Sequence, residues 1–316
     1  MTSATEIGTV AGETKRTIEE AKGKILELCL HLKRQGYSDE TIRLNRIALK
    51  VLVDRGANLH DECSVKDVIA KQRWSDNRRR NVINAYDVFI KFNKMSWEKP
   101  RCTVTQRFPF IPTEQEIDAL ISAAPSKLAA FLQLLKETAM RRGEAKRLQW
   151  MEVDSERCII TLNEPEKHSN PRMWKVTPRL IAMLNALPKN SNKVFGDSKM
   201  DSLKSSFLHL RKKLAVKLQN PRLVKVNFHS FRHWKATMLM HETHGKIYYV
   251  EQFLGHRSIK NTELYIQLEQ TIFGESDNDE FIVEVATTAE ELKRLLEDNF
   301  DYVCQKDSLI FLRKRR

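Results

Sequence analysis

The sequence predicts a mostly helical α+β protein with two domains and a small tail. Apolar residues recur at helical spacing through most of the 316 residues. Residues 157–176 and the chain after about residue 279 instead alternate in the manner of strands. A break containing Pro100, Pro109 and Pro112 separates an all-helical part from a mixed one. A chain of this length has enough residues for two modest cores.

These patterns divide the chain into five parts. The expected parts are a flexible arm over 1–15, a helical domain over 16–95, a linker over 96–112, a mixed domain over 113–270 and a βαββ-like extension over 271–316. The extension is too short for a dependable core of its own. We therefore expect it to pack on the second domain or on a neighbouring subunit.

The helical domain is predicted to contain four helices. Gly36 can end the first helix, and Ser38 can cap a second that runs to Gly56. Ser64 and Ser75 are the expected N-caps of the third and fourth. The apolar face of the first helix consists of Ile18, Ala21, Ile25, Leu28, Cys29 and Leu32, and that of the fourth of Val82, Ile83, Tyr86, Phe89 and Ile90.

The second domain is predicted to mix helices with a β-hairpin. Thr113 and Glu116 form a T-x-x-E capping box at the start of a helix. Residues 157–176 predict a hairpin with a turn around Ser169, Asn170 and Pro171. Further helices pass through Leu128, Leu132 and Leu135, and through Leu203, Phe207, Leu210, Leu214 and Leu218. In the tail, FIVEV predicts a strand, AEELKRLLEDN a helix, and DYVCQ and LIFLRKRR two more strands.

The charge of the chain indicates a polyanionic partner. It has 54 Lys and Arg against 41 Asp and Glu, a net charge of +13 and a pI near 9.5, which most often indicates nucleic acid. The five cysteines are odd in number and lack a C-x-x-C spacing, which disfavours a zinc ribbon or a disulfide framework and suits a reducing cytoplasm. No secretory h-region and no run of about 18 apolar residues occurs, so we expect neither export nor a membrane span.

Four segments carry side chains that could do chemistry. In TAMRRGEAKRL, Arg141 falls at a break near Gly143, and Glu144 could orient its guanidinium. In EKHSNPR, the basic hairpin tip with Lys167 and Arg172 could enter a DNA groove. Taken alone, each of these two segments is better explained as a solvated turn.

The other two segments contain histidines. His229 and Arg232 of NFHSFRHWKAT are three residues apart and project from one helix face, where they could bind and protonate a phosphate. In EQFLGHRSIKNTELYIQL, His256 lies at a helix break, and Tyr265 lies about two turns into the next helix. A lone tyrosine at this spacing is usually a packing residue. The alternative is a phenol that attacks phosphorus.

Considered together, these side chains suit phosphoryl transfer without a metal. Arg141 and Arg232 could bind the nonbridging oxygens, and Lys167 could protonate the leaving sugar oxygen. His229 could serve the nucleophile, and His256 could hydrogen-bond the phosphate.

Competing kinds of site are less consistent with the sequence. A zinc site at His241, His244 and His256 lacks both the H-E-x-x-H spacing and a cysteine or acidic ligand. The nucleotide-binding and serine-hydrolase motifs are absent from the sequence. We therefore expect no metal and no cofactor.

The four segments resemble those of the tyrosine recombinases, the phage-integrase or Xer-like family. TAMRRGE is similar to the first arginine motif of that family, EKHSNPR to its β-hairpin lysine segment, HSFRH to its H-x-[LF]-R-H box and LGHRSIKNTELY to its L-G-H-x8-Y terminus. The helical first domain, with GYSDETI at 36–42, and PFIPTE resemble the core-binding arm and linker of the family, so the resemblance covers about residues 15–270. Each motif alone is weakly specific, whereas all four in order and at family spacing are strongly specific.

The resemblance implies a role for each matching residue. Tyr265 would be the nucleophile that forms a 3′-phosphotyrosine and frees a 5′-hydroxyl. Arg141 and Arg232 would bind the scissile phosphate, and Lys167 would be the general acid.

The remaining matches have supporting roles. His229 would be an acid/base partner, His256 a hydrogen-bonding residue, and Glu144 a support for the arginines. The family recombines two sites of double-stranded DNA in a homotetramer through a Holliday junction, without metal or cofactor.

The sequence departs from the family at two places. Ala139 stands where the family usually has glycine. The extension beyond Gln270 is longer than the usual closing helix, and its ending, LIFLRKRR, looks most like archaeal members.

Two other functions remain open on the sequence. A type IB topoisomerase-like nicking and closing enzyme would use similar chemistry. A protein that only occupies its DNA site would share the basic charge but would need no nucleophile. Backbone contacts to DNA are predicted for Arg78, Arg79, Arg80 and Lys91, each of which is equally well explained alone as a solvated residue.

Overall fold

Helices make up most of the chain, as the sequence predicts for a mostly helical α+β fold. The structure, a computed structural model, describes residues 4–105, 107–274, 281–306 and 309–315. It contains two compact units, Met1–Arg107 and Phe108–Arg316. The boundary between them falls within the segment 96–112 that we expect to be a linker.

Unit 1 is a bundle of helices. Leu49, Leu52, Tyr86 and Phe89 are fully buried in its core, where α2 packs against α1 and α4. The Tyr86 hydroxyl donates to the carbonyl of Leu59 at 3.1 Å, which satisfies this buried polar group. The helices are α1 (Ala4–Arg34), α2 (Asp39–Asp54), α3 (Glu62–Lys71) and α4 (Asp76–Phe92).

Three predicted caps of unit 1 are confirmed and one is wrong. Gly36 ends α1 with a left-handed φ of 77°, and the hydroxyls of Ser38 and Ser75 accept from the first turns of α2 and α4. The N-cap of α3 is Asp61, whose carboxylate accepts from the N–H of Cys63. Ser64 lies inside that helix and accepts from a loop N–H instead.

The expected flexible arm over 1–15 is helical from Ala4 onward. No proline interrupts the helix before Ile18. Residues 1–3 of the arm lie outside the described residues.

The first part of the expected linker packs onto unit 1. Trp97 meets the ring of Tyr86 edge-on at 4.7 Å between centroids, and its indole N–H donates to Asp87 at 3.2 Å. The N–H of Glu98 donates to Glu62 at 3.0 Å. The described residues between α4 and Thr113 contain neither helix nor strand, as the prolines there require.

Unit 2 is built around a buried central helix, α6. Phe131, Leu132 and Leu135 on this helix are fully buried, and Phe131 meets Phe195 and Phe228 edge-on. The helices are α5 (Glu114–Ser122), α6 (Ser126–Thr138), α7 (Arg142–Arg147), α8 (Pro178–Asn185), α9 (Met200–Lys217), α10 (Phe228–Glu242), α11 (Ile247–Leu254) and α12 (Lys260–Phe273).

A small antiparallel sheet of order β1-β2-β3 lies in the same unit. It consists of β1 (Val153–Asp154), β2 (Ile159–Leu162) and β3 (Arg172–Lys175), with Ile160 opposite Trp174. The predicted hairpin is confirmed as β2 and β3. The two residues of β1 are too few to show alternation, and the sequence does not predict them.

The extension folds as β4 (Phe281–Ala286), α13 (Ala289–Glu297), β5 (Asp301–Lys306) and β6 (Leu309–Arg315). The sheet is antiparallel with order β4-β6-β5, so the predicted βαββ pattern is confirmed. In the part of the chain that the structure describes, no helix is both long and apolar enough to cross a membrane.

The Glu116 carboxylate should stabilise unit 2. It accepts from the N–H of Thr113 and from the side chains of Asn220 and Arg222, each at 2.9 Å. We expect Glu116→Ala to lower the free energy of unfolding by about 2 kcal/mol, since a cap and buried hydrogen bonds are lost together. Urea denaturation measures this change.

Glu114→Ala is the matched control in the same helix turn. Glu114 is exposed, and its ion pair with Lys136 should contribute less than about 1 kcal/mol. Equal losses in the two variants would contradict the role given to Glu116.

Candidate active site

One cavity of unit 2 brings the six predicted reactive side chains together. It has a volume of about 400 Å³ and is lined by Arg141, Lys167, His229, Arg232, His256 and Tyr265. These side chains come from the end of α6, the β2–β3 connection, the start of α10, the α11–α12 turn and α12. The sequence does not single out the other lining residues, which are Ser169, His233, Arg257, Asn261 and Leu264.

Arg141 is positioned by the end of α6. Ala139 ends that helix in the left-handed region with φ of 51°, a conformation that favours glycine and is strained for other residues. Arg141 then starts α7, and its Nη1 donates to Ser169 Oγ at 2.6 Å and to Glu144 Oε1 at 2.9 Å. The guanidinium is therefore held at the cavity wall by two side chains.

Glu144 is the buried acceptor beneath the cavity. Its side chain has no exposed surface, and it accepts from the N–H of Arg141 at 2.8 Å and from that of Glu166 at 3.0 Å. It also accepts from Arg172 Nη2 at 2.8 Å. Burial alone would raise the pKa of this carboxyl, but the charges of Arg172 and Arg141 and the two N–H groups outweigh burial and lower the pKa.

Arg172, for which a DNA contact is predicted, is buried in this structure and bonded internally. Arg172 begins β3, whose alternation turns it inward, and only 6% of its surface is exposed. Its Nη1 donates to the carbonyl of Leu254 at 2.6 Å, and its guanidinium lies 5.2 Å from the ring centroid of Trp174. The side chain of Lys167, on this connection, is exposed.

The turn after α11 depends on a glycine beside Arg172. Gly255 has a φ of 67° and caps α11. A Cβ at this position would lie 2.7 Å from Cδ and Nε of Arg172. Glycine is therefore required both for the backbone conformation and for the close approach, and the turn sets the position of His256.

Arg232 links three elements around the cavity. It is 1% exposed, and it donates from Nη1 to the carbonyl of Ala139 at 2.8 Å and from Nη2 to the carbonyl of Leu254 at 2.7 Å. Burial, with the charges of Arg141 and Arg172, lowers its pKa to about 9. This pKa is still above neutrality, so the guanidinium keeps its charge.

The three histidines of the cavity are neutral at pH 7. Burial and nearby cations lower the pKa of His229 to about 3 and those of His233 and His256 to about 4. His256 Nδ1 lies 2.9 Å from Thr262 Oγ1, so this ring is oriented by α12. The positive charge of the cavity lining therefore comes from Arg141, Lys167, Arg232 and Arg257.

Tyr265 is buried, with 2% of its surface exposed, and its hydroxyl lies 3.0 Å from Nδ1 of His233. Burial raises the pKa of the phenol to about 12, although the charge of Arg232 opposes this rise. The hydroxyl is therefore protonated at neutral pH. His233 follows His229 by four residues on the same face of α10, and this spacing is the signal that could have identified it.

The predicted DNA contacts of unit 1 lie on α4. Arg78 and Arg80 are exposed in its first turns, and Arg79 is half-buried. Lys91 is exposed near the other end of the helix, where it forms an ion pair with Asp87 at 3.0 Å. Arg78, Arg80 and Lys91 are thus accessible on one helix.

Comparison with known proteins identifies the family of this chain and solved structures that share its fold. The model of the Phage integrase family matches residues 112–271, half of the chain. No curated protein matches the chain.

Several solved structures are similar over most of the chain. A lambda integrase dimer bound to a COC′ core site is 12% identical with a TM-score of 0.59, over 81% of this chain and 79% of that one. The Tn1549 transposon integrase in complex with a circular intermediate DNA is 14% identical with a TM-score of 0.58, over 87% and 99%. The XerH recombinase bound to palindromic difH substrate is 15% identical with a TM-score of 0.56, over 79% and 82%. At these identities the likeness shows a shared fold.

Glu144→Gln should destabilise unit 2. The change removes the negative charge that pairs with the guanidinium groups of Arg141 and Arg172. Breaking a buried ion pair typically costs about 3–5 kcal/mol of folding free energy. Because the folded pKa of Glu144 is lowered, its contribution is complete at neutral pH and is lost as the pH falls through that lowered pKa. Urea denaturation at several pH values should show the difference between wild type and variant shrinking in acid.

Glu164→Gln is the control, since this exposed carboxylate lies on the β2–β3 connection, whose Glu166 N–H donates to Glu144. Its effect should stay within about 0.5 kcal/mol. A Glu144→Gln protein as stable as wild type at pH 7 would show that the buried carboxylate does not hold the site together.

Proposed function

The chain belongs to the phage integrase family and is a site-specific recombinase that cleaves and rejoins DNA, and on that premise we propose that Tyr265 is its nucleophile. The supporting observation is that Tyr265 shares one cavity with four cationic side chains, those of Arg141, Lys167, Arg232 and Arg257. A phenol surrounded by cations suits attack on an anionic phosphodiester.

Arg141 and Arg232 bind the two nonbridging oxygens of the scissile phosphate. The transition state of phosphoryl transfer carries negative charge on these oxygens, and a guanidinium can bind them through two N–H groups. Both arginines are held by internal hydrogen bonds, Arg141 through Glu144 and Ser169 and Arg232 through backbone carbonyls. This supports a site organised before DNA binds, in which Glu144 acts through Arg141.

Lys167 is the general acid in this proposal. The Oη–P bond forms as the bond from phosphorus to the 5′ oxygen breaks, and Lys167 protonates that leaving oxygen. The products are a 3′-phosphotyrosine and a free 5′-hydroxyl. Because the phosphotyrosyl bond retains the energy of the broken bond, rejoining needs no nucleotide cofactor. His256 donates a hydrogen bond to the phosphate, and His229 assists proton transfer.

We also propose how the recombinase assembles. Four copies would join two double-stranded DNA sites and exchange strands through a Holliday junction, with Arg78, Arg79, Arg80 and Lys91 contacting the DNA backbone. The net charge of +13 and the accessible basic side chains of α4 support the DNA contacts of this proposal. The free cysteines support a cytoplasmic location, and the ending LIFLRKRR supports an archaeal source.

Tyr265→Phe should abolish the covalent DNA adduct. The substitution removes the nucleophile and keeps the ring that packs in the interior, so folding and DNA binding should persist. A suicide substrate with a nick near the cleavage site traps the adduct on wild type, and peptide mapping should place it on Tyr265.

Tyr248→Phe and Tyr249→Phe are matched controls, since these tyrosines lie on α11 with 69% and 50% of their surface exposed. Both variants should form the adduct at the wild-type level. An adduct that persists in Tyr265→Phe would assign the nucleophile elsewhere.

Lys167→Ala should slow cleavage by about 10²–10⁴-fold, the usual contribution of a general acid. A substrate with sulfur in place of the 5′ bridging oxygen needs no proton on its leaving group, so it should restore most of the rate. Arg141→Lys is the comparison variant, and it should be slow on both substrates because the nonbridging oxygens are unchanged. Equal slowing of Lys167→Ala on both substrates would exclude the acid role.

A further inference from the structure

His233 contacts the atom that the proposed reaction uses as its nucleophile. Its Nδ1 lies 3.0 Å from Tyr265 Oη, the one side-chain hydrogen bond recorded for this hydroxyl among the described residues. The two ring centroids are 5.9 Å apart. The 3.0 Å separation of Nδ1 and Oη is within the reach required of a group that removes a proton.

The surrounding structure fixes the ring of His233. The residue lies in the second turn of α10, and its ring meets that of His229 edge-on at 4.5 Å between centroids. Arg232 precedes it in the chain and is buried on the same helix. His233 is half-buried at the cavity wall, so it is shielded from bulk water and still faces the reacting groups.

We propose that His233 is the general base of the cleavage reaction, an inference that rests on the proposed role of Tyr265. As the Oη–P bond forms, the phenol proton moves to Nδ1 of His233. The bond from phosphorus to the 5′ oxygen breaks, and that oxygen takes a proton from Lys167. The step leaves an imidazolium and a neutral amine, and rejoining reverses both transfers.

His233 is better placed for this task than His229, to which the family resemblance gives the acid/base role. Among the described residues, no hydrogen bond is recorded between His229 and Tyr265. After burial and the neighbouring His233, the groups that most lower the pKa of His229 are Arg232, Lys167 and Arg141, the cations that the proposed function places around the phosphate.

The charge state of His233 suits a base. Burial and the charge of Arg232 keep its pKa at about 4, so the ring is neutral before DNA binds and can accept a proton. A bound phosphodiester adds a negative charge to the cavity, which opposes the effect of Arg232 and makes the imidazole more basic. When Nδ1 accepts from Tyr265, Nε2 carries the ring proton.

The test measures the cleavage rate constant in a single turnover on a nicked suicide substrate, with DNA affinity and thermal unfolding measured separately. We expect His233→Ala to reduce the rate constant by about 10²-fold or more, with DNA affinity nearly unchanged. His233→Gln should be similarly slow, because its amide can hydrogen-bond to Tyr265 but cannot take up a proton. A His233→Gln protein that cleaves at the wild-type rate would exclude the base role.

A more acidic nucleophile separates proton transfer from positioning. With fluorinated tyrosine incorporated at position 265, the phenol needs less help to lose its proton, so the defect of His233→Ala should shrink. A defect of the same size with tyrosine and with fluorotyrosine would overturn the proposal, since a purely positioning residue would give that result.

His241→Ala is the matched control. His241 lies on the same helix, and its Nδ1 lies 3.0 Å from Glu269 on α12, so it also links α10 to α12. This variant should cleave at the wild-type rate, and slowing equal to that of His233→Ala would attribute both defects to the lost link.

Mapping the wild-type adduct distinguishes the two levels of the proposal. An adduct on a residue other than Tyr265 overturns the proposed function, and the role of His233 with it. An adduct on Tyr265 together with wild-type cleavage by His233→Ala overturns only the role of His233.

Discussion

The carbonyl oxygen of Leu254 accepts hydrogen bonds from two buried guanidinium groups, and the geometry of the site depends on this shared acceptor. Arg172 and Arg232 donate to it at 2.6 and 2.7 Å. Two like charges so close together would repel each other. Two features offset this repulsion. The shared acceptor is the last carbonyl of α11, where the helix dipole is negative, and the carboxylate of Glu144 accepts from the other side of Arg172. The arrangement joins β3, α7, α10 and α11, which are distant in sequence.

These hydrogen bonds among Arg172, Arg232, Glu144 and the Leu254 carbonyl explain why the cavity can be both strongly cationic and stable. The carbonyl of Ala139 also accepts a hydrogen bond from Arg232. Because two carbonyls hold this guanidinium in place, no large rearrangement is needed to present it to an anion. Preorganised charge of this kind stabilises a transition state without reorganisation at the moment of reaction. The neutral histidines add hydrogen-bonding groups without adding repulsion. The phenol of Tyr265 stays protonated until a base and an anion are both beside it.

The sequence predicts the helices, the capping box at Thr113 and the hairpin because these features depend on local periodicity and capping. It also predicts the six reactive side chains of the cavity, since the motifs occur in a characteristic order. It does not predict that Arg172 pairs with Glu144, because the two residues are 28 apart in the chain and a pairing at that distance leaves no local signal. It passes over His233, because the relation to Tyr265 depends on how α10 packs against α12.

The close approach of Gly255 to Arg172 has a consequence for how this protein can vary. Gly255 does not line the cavity, yet a single added methyl group there would push against a guanidinium that cannot retreat. The displacement would pass to Glu144 and from it to Arg141. Arg257, two residues further on, lines the cavity and is exposed. Tolerance to substitution should therefore depend more on whether a residue contacts this hydrogen-bonded network than on its distance from the reacting atoms. Gly255, which lies outside the cavity lining, should be among the least replaceable residues.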